Sequence, residues 1–155
     1  MKRLPYITAE GMVKLNEELD TIWSRRRDVV KALSAAAAEG DRSENAEYIY
    51  RKKELRGLDR RIRYLQKTMP DLHVVTAKPD DETTIFFAAY VVLEDESAKR
   101  IEYRIVGSDE RDHQKSNISI DSPLAQALLG KKVDDEVIVS TPAGVTKYFI
   151  VAIRY

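Results

Sequence analysis

The segment Gly40-Asp41-Arg42-Ser43-Glu44-Asn45-Ala46-Glu47-Tyr48 places two carboxylates three residues apart. On the first turn of a helix, residues at that spacing share one face about 5–6 Å apart. Two chemistries are open to such a pair. With Asp41 as N-cap and Glu44 at the third helical position, the pair is a capping box that satisfies orphan backbone N–H groups. As oxygen donors, the same side chains form a small anionic site suited to Mg²⁺. That ion keeps several waters and is commonly held by one or two carboxylates plus ligands supplied from elsewhere. Two carboxylates alone bind it weakly. They become catalytic only when carried into a site that supplies the remaining ligands. The spacing fits both readings and does not choose between them.

A second group is cationic. Residues 51–67 contain Arg51, Lys52, Lys53, Arg56, Arg60, Arg61, Arg63 and Lys67 against Glu54 and Asp59. Lys52, Arg56, Arg60 and Arg63 follow a four-four-three spacing, which lines them along one helix face. Such a stripe neutralises phosphates of a nucleic acid. Tyr48, Tyr50 and Tyr64 lie on the same stretch and offer aromatic faces to bases. The competing reading is an ordinary solvated face.

Other chemistries are excluded by composition or spacing. There is no Cys, so there is no thiolate nucleophile, disulfide framework or Cys-type zinc site. His73 and His113 stand alone, as surface or linker residues. No nucleophile–base pair and no Gly-rich phosphate loop is visible. No apolar run approaches the roughly 18 residues of a membrane span. The first residues, Met1-Lys2-Arg3-Leu4-Pro5-Tyr6, lead into no apolar stretch, so no signal peptide is expected. A soluble, cytoplasmic chain is the expectation.

These groups need elements to position them. The chain has 155 residues with 26 basic and 26 acidic side chains. That balance hides an asymmetry, since residues 1–77 hold 16 and 12 and residues 78–155 hold the remaining 10 and 14. The first part is rich in Ala, Leu, Arg and Glu, the second in β-branched and aromatic residues. Two domains, 1–77 and 78–155, follow, with Lys78-Pro79-Asp80-Asp81-Glu82 as a polar linker. Thr8 can cap a helix, with Glu10 in its first turn. Met12, Leu15, Leu19, Ile22, Val29, Leu33 and Ala36 form a seam at alternating three and four, with Arg26 as its one polar member. Gly40 is placed to end this helix. A second seam runs Tyr48, Arg51, Leu55, Leu58, Ile62, Leu65 and Met69, and Pro70 stops it. Helices joined by so short a break pair antiparallel. Each arm of about 30 residues would be roughly 45 Å long. Ala35-Ala36-Ala37-Ala38 lets the arms approach closely near the break that carries Asp41 and Glu44.

The second part reads as strands at Thr84–Leu93, Arg100–Val106, Ile118–Ile120, Val137–Ser140 and Lys147–Tyr155. Thr141-Pro142-Ala143-Gly144 is a hairpin turn. Ser122 fits an N-cap and Pro123 the first position of a short helix that Gly130 ends. The sum is an antiparallel sheet with one short helix.

The tip segment, Arg60-Arg61-Ile62-Arg63-Tyr64-Leu65, Arg104-Ile105-Val106-Gly107-Ser108-Asp109-Glu110, Ile118-Ser119-Ile120-Asp121-Ser122-Pro123 and Thr141-Pro142-Ala143-Gly144 together resemble the bacterial Gre transcript cleavage factors. Arg42-Ser43 and Lys52-Lys53 resemble the GreB branch of that family. The resemblance covers essentially the whole chain, in the family's order. It implies an α+β protein: a long N-terminal antiparallel coiled-coil hairpin and a C-terminal FKBP-like domain. It implies binding to RNA polymerase, with the coiled coil in the secondary channel and the second domain at the rim. Asp41 and Glu44 would help hold the second Mg²⁺ of the polymerase active site, a two-metal arrangement for phosphodiester hydrolysis. The isolated chain would carry no cofactor and would be a monomer when free. The substrate would be the displaced 3′ end of the nascent RNA in a backtracked complex. Lys52, Lys53, Arg56, Arg60, Arg61 and Arg63 would contact that RNA, and Asp121, Ser122 and Pro123 would dock at the rim. The chain would activate the polymerase's own nuclease rather than be an enzyme. Two positions depart from the family pattern: Arg27 stands where Pro is common and Ala88 where Gly is expected.

Three alternatives remain at this level. One is a non-cleaving regulator that occupies the same channel. Another is a prolyl isomerase, which rests on fold analogy alone. The last is a generic coiled-coil adaptor.

Overall fold

The computed structural model describes residues 5–39, 45–110 and 116–155. The element order is β1 (Tyr6–Thr8), α1 (Ala9–Ala38), α2 (Ala46–Thr68), a 3₁₀ turn (Met69–Asp71), β2 (His73–Val75), β3 (Tyr90–Glu94), β4 (Arg100–Val106), β5 (Asn117–Ser119), α3 (Pro123–Leu128), β6 (Glu136–Thr141) and β7 (Gly144–Arg154). The chain divides into two compact units, Met1–Met12 with Leu72–Tyr155, and Val13–Asp71.

The unit Val13–Asp71 is an antiparallel helical hairpin. Its seam is where the three-four spacing put it. Leu15, Val29, Ala36, Ile62 and Leu65 are buried. Leu19, Ile22, Arg26, Leu33, Tyr48, Arg51, Leu55, Leu58 and Met69 are half-buried. α1 passes through Arg27 without interruption, so the absent Pro leaves an unbroken helix there. α2 ends at Thr68, and Pro70 falls in the 3₁₀ turn that follows.

In the other unit, β1 and β2 pair in parallel, with Tyr6 opposite His73 and Thr8 opposite Val75. His73 is therefore a strand residue. Its N–H donates to the Pro5 carbonyl at 2.6 Å and its ring meets Tyr6 edge-on at 5.9 Å. His113 lies outside the described residues. Thr8 caps α1 as its sequence position implies, its Oγ1 accepting from the Gly11 N–H at 3.0 Å. The Glu110 carboxylate ties this start to the end of β4. It accepts from the Thr8 N–H at 3.1 Å, from the Thr8 hydroxyl and from the Gly107 N–H.

The main sheet has the order β5-β4-β3-β7-β6. It is mixed, which corrects the all-antiparallel expectation. β5 runs parallel to β4, with Ile105 opposite Ile118. β3 pairs antiparallel with both β4 and β7, with a register shift between Val92 and Leu93. The buried cluster comprises Ile85, Ala89, Val91, Leu93, Ile105, Ile120, Ala125, Leu128, Val137 and Ile150, so α3 closes one face of the sheet.

The expected strand from Thr84 is shorter and starts at Tyr90. Ala88 has φ +73°, in the left-handed region. That explains why Gly suits this position and breaks any ladder through it. The backbone of this stretch is satisfied piecemeal instead. Ile85 N–H donates to Lys131, Gly130 N–H to Ile85, Ala88 N–H to Ile105, and Phe86 N–H to the Tyr155 hydroxyl.

Candidate functional site

The connection between the two arms is closed by Asn45. Its Oδ1 accepts from the Tyr48 N–H at 3.1 Å, which caps α2, and its Nδ2 donates to the Ala36 carbonyl at 2.7 Å. One amide thus satisfies an orphan donor of the second helix and adds a second bond to the Ala36 carbonyl, which also accepts from the Glu39 N–H at 3.2 Å. The capping-box reading of Asp41 and Glu44 is corrected here. α2 begins at Ala46, and Asn45 has the extended φ −84°, ψ 101° of an N-cap. Both carboxylates precede the cap, so neither stands in the first turn of α2. Asp41 and Glu44 themselves, with Gly40, Arg42 and Ser43, lie outside the described residues.

Below the connection the arms are joined by ion pairs that their register sets. Arg25 meets Glu54 at 2.8 Å, Arg26 meets Asp59 at 2.6 Å, and Arg61 forks onto Glu18 at 2.6 and 2.9 Å. Arg51 bridges Glu47 and Glu54 within α2. The Arg25 guanidinium, and after it Arg51, holds the Glu54 carboxyl below its usual range. Arg26, the one polar member of the seam, is accommodated because Asp59 reaches it from the opposite arm and Trp23 lies beneath its guanidinium. These interhelical partners, and Asn45, are the residues that sequence reasoning passed over. The signal for Asn45 was its place directly before an uninterrupted helical run. The ion pairs needed the register of one arm against the other.

The basic stripe divides. Lys52, Lys53, Arg56, Arg60 and Arg63 are exposed, on the face away from the buried seam. Lys53, Arg56, Arg60 and Arg63 have no ion pair among the described residues, whereas Lys52 lies over the Tyr48 ring at 5.7 Å. Arg61 does not belong with them. It is turned along the flank, held by Glu18, with its guanidinium 5.3 Å from the Tyr64 ring.

In the other unit, Ser122 caps α3, its Oγ accepting from the Ala125 N–H at 3.2 Å, with Pro123 in the first turn as expected. Asp121 and Pro123 are exposed and Ser122 is half-buried. Gly130 has φ +82°, the left-handed stop of this helix. Among the described residues no three His, Cys, Asp or Glu side chains gather as a metal site. No described helix is long and apolar enough to cross a membrane.

Two family descriptions match this chain in tandem: "Transcription elongation factor, N-terminal" over residues 5–74, and "Transcription elongation factor, GreA/GreB, C-term" over residues 79–155. The chain belongs to the GreA/GreB family of transcription elongation factors. Curated relatives at about half identity include transcription elongation factor GreB of Pseudomonas aeruginosa, 53% identical over 97% of this chain and 90% of that protein. GreB of Xanthomonas axonopodis pv. citri is 54% identical over 99% of this chain and 93% of that one. Among solved structures, GreA factor homolog 1 (Gfh1) of Thermus thermophilus is 26% identical, with 99% and 100% of the two chains covered and a TM-score of 0.43. For a Gre-family chain, the α+β architecture of a helical hairpin and a sheet domain with one short helix is the one that the motifs implied.

Proposed function

We propose that this Gre-family chain, of the GreB type, binds RNA polymerase through its secondary channel and stimulates cleavage of the 3′ end of backtracked nascent RNA. The nuclease is the polymerase, and the chain is its activator. Asp41 and Glu44 are the acting groups. Two carboxylates form an all-oxygen donor set, which fits a hard divalent cation that retains most of its waters. They would hold the second Mg²⁺ of the polymerase centre, which supplies activation of the attacking water and neutralises charge on the phosphate. What the chain contributes is the delivery of both carboxylates by a two-helix element.

One observation carries this reading. Asn45 caps α2, so capping that helix no longer competes with metal binding for Asp41 and Glu44. Lys52, Lys53, Arg56, Arg60 and Arg63 support an RNA-facing role through their exposure on one face. Arg61 acts instead by holding the two arms together. Asp121, Ser122 and Pro123 are assigned to docking at the channel rim.

The test is cleavage of RNA in a purified backtracked complex. Asp41→Asn and Glu44→Gln keep size and remove charge. The expected result is a folded protein that still competes for polymerase and no longer shortens the transcript. Full activity of the double variant would refute the metal role. Inhibition by the wild-type protein without RNA shortening would favour a non-cleaving channel regulator.

A further inference from the structure

The tyrosines of α2 are not equivalent in the folded protein. Tyr48 is half-buried on the seam, under Lys52, and Tyr64 is half-buried beside Arg61. Tyr50 is 60% exposed. The Arg51 guanidinium lies 5.5 Å from its ring centroid. Arg51 is itself fixed, donating from Nε to Glu47 at 2.8 Å and from its terminal nitrogen to Glu54 at 3.1 Å. A guanidinium clamped by two carboxylates holds an aromatic ring in place from one side. Beside Tyr50, Ile49 is 53% exposed. Lys53 lies one turn on from both, four residues from Ile49 and three from Tyr50, so it projects over the same patch. Arg56 follows another turn along.

We propose that Tyr50 is a stacking platform for an unpaired base of single-stranded RNA, with Lys53 and Arg56 holding the adjoining phosphates. Every base has a π face, so such a platform is indifferent to sequence. Pre-organisation by Arg51 lowers the ordering cost that a free tyrosine would bear. Lys53 and Arg56, which have no ion pair among the described residues, favour a polyanion over an apolar protein surface as the occupant. The proposal deepens the cleavage reading, since it takes the RNA to be the displaced 3′ segment.

The experiment uses the full-length protein and reconstituted backtracked complexes with thiouridine in the displaced RNA. Irradiation should crosslink the RNA to residues around Tyr50. Tyr50→Ala and Tyr50→Leu should raise the protein concentration for half-maximal cleavage about 5-fold or more, the low end of one lost base stack. Tyr50→Phe should behave as wild type. Tyr50→Leu matching wild type would overturn stacking, and so would equal weakening of Tyr50→Ala on polymerase that carries no RNA. Wild-type cleavage that Tyr50→Ala leaves unchanged sinks this proposal alone. A crosslink at Tyr50 without RNA shortening keeps the platform and sinks the cleavage reading.

Discussion

Gly107→Ala tests the junction at which β1 and the start of α1 meet the end of β4. A Cβ on Gly107 would lie 2.1 Å from the Tyr6 carbonyl oxygen, 3.2 Å from the Tyr6 carbonyl carbon and 3.2 Å from Glu110 Oε2. The first neighbour is backbone, so no side-chain rotation relieves it. β1 must retreat by more than about 1 Å to reach ordinary contact distances. It has little room to do so, because Ile7 and Thr8 are buried and paired to Val74 and Val75 of β2. Overpacking of this kind costs about 1–3 kcal/mol. Retreat also stretches the bonds from Thr8 and Gly107 to the Glu110 carboxylate, and hydrogen bonds to a charged group contribute about 1.5–3 kcal/mol each. Allowing for partial relaxation, the loss should be about 2–4 kcal/mol, or a melting midpoint lower by about 10 °C for a chain of this size. Calorimetry on the purified variant measures it. Glu110→Gln, which keeps the shape and removes the charge, should lose less. A midpoint for Gly107→Ala within about 1 °C of wild type would mean that the Tyr6 carbonyl does not lie against Cα of Gly107, which would refute this packing of β1 on the end of β4.

Gly57 is the opposite case. It is exposed inside α2, and an added Cβ would meet nothing within 4 Å, so Gly57→Ala should stabilise the hairpin by about 0.5–1 kcal/mol through helix propensity; a denaturant midpoint at or below wild type would contradict this. The Asp81 carboxyl accepts from the Thr83 and Thr84 hydroxyls and the Thr83 N–H, which lower its pKa from 3.8 to about 2. A carboxyl depressed on folding stabilises the fold above its unfolded pKa, and the effect is lost as pH falls through the folded one. NMR titration should therefore place its midpoint near 2, and Asp81→Asn should flatten the stability profile between pH 4 and 2; a midpoint near 3.8 would show that the hydroxyl bonds are absent.

The parts legible in the sequence are those set by local chemistry. The hairpin seam followed from apolar spacing, β4 from its β-branched and aromatic run, and the start and stop of α3 from Ser122, Pro123 and Gly130. What was missed depends on partners distant in the chain. β1 and β2 are three residues each and find each other across the whole hairpin. β5 looks like any short apolar strand, and only its register on β4 shows that it runs parallel. The run from Thr84 to Ala89 has strand composition, but φ at Ala88 and the Tyr155 hydroxyl divert its backbone. In the site, charge and spacing identified the exposed stripe but could not show that Arg61 is claimed by Glu18. The D-x-x-E spacing also drew attention from Asn45, which stands next to it and holds the cap.

The distribution of packing along the hairpin bears on what the element is for. The large buried side chains Leu15, Ile62 and Leu65 lie toward the end away from the connection, and beside the connection the buried seam residue is Ala36. Burial contributes in proportion to apolar area, so the alanine end gains little from its own contacts. A hairpin shaped for stability alone would carry Leu or Ile there, since nothing in the three-four pattern forbids it. At that end Asn45 bridges Ala36 and Tyr48, and nearer the middle the arms are joined by Arg25–Glu54 and Arg26–Asp59. Small side chains and an amide bridge thus stand beside the connection where larger apolar ones would bury more area. That exchange suits the proposed role, in which the connection would enter a confined space with Asp41 and Glu44. It makes little sense for a hairpin whose task is to pack within a globular core.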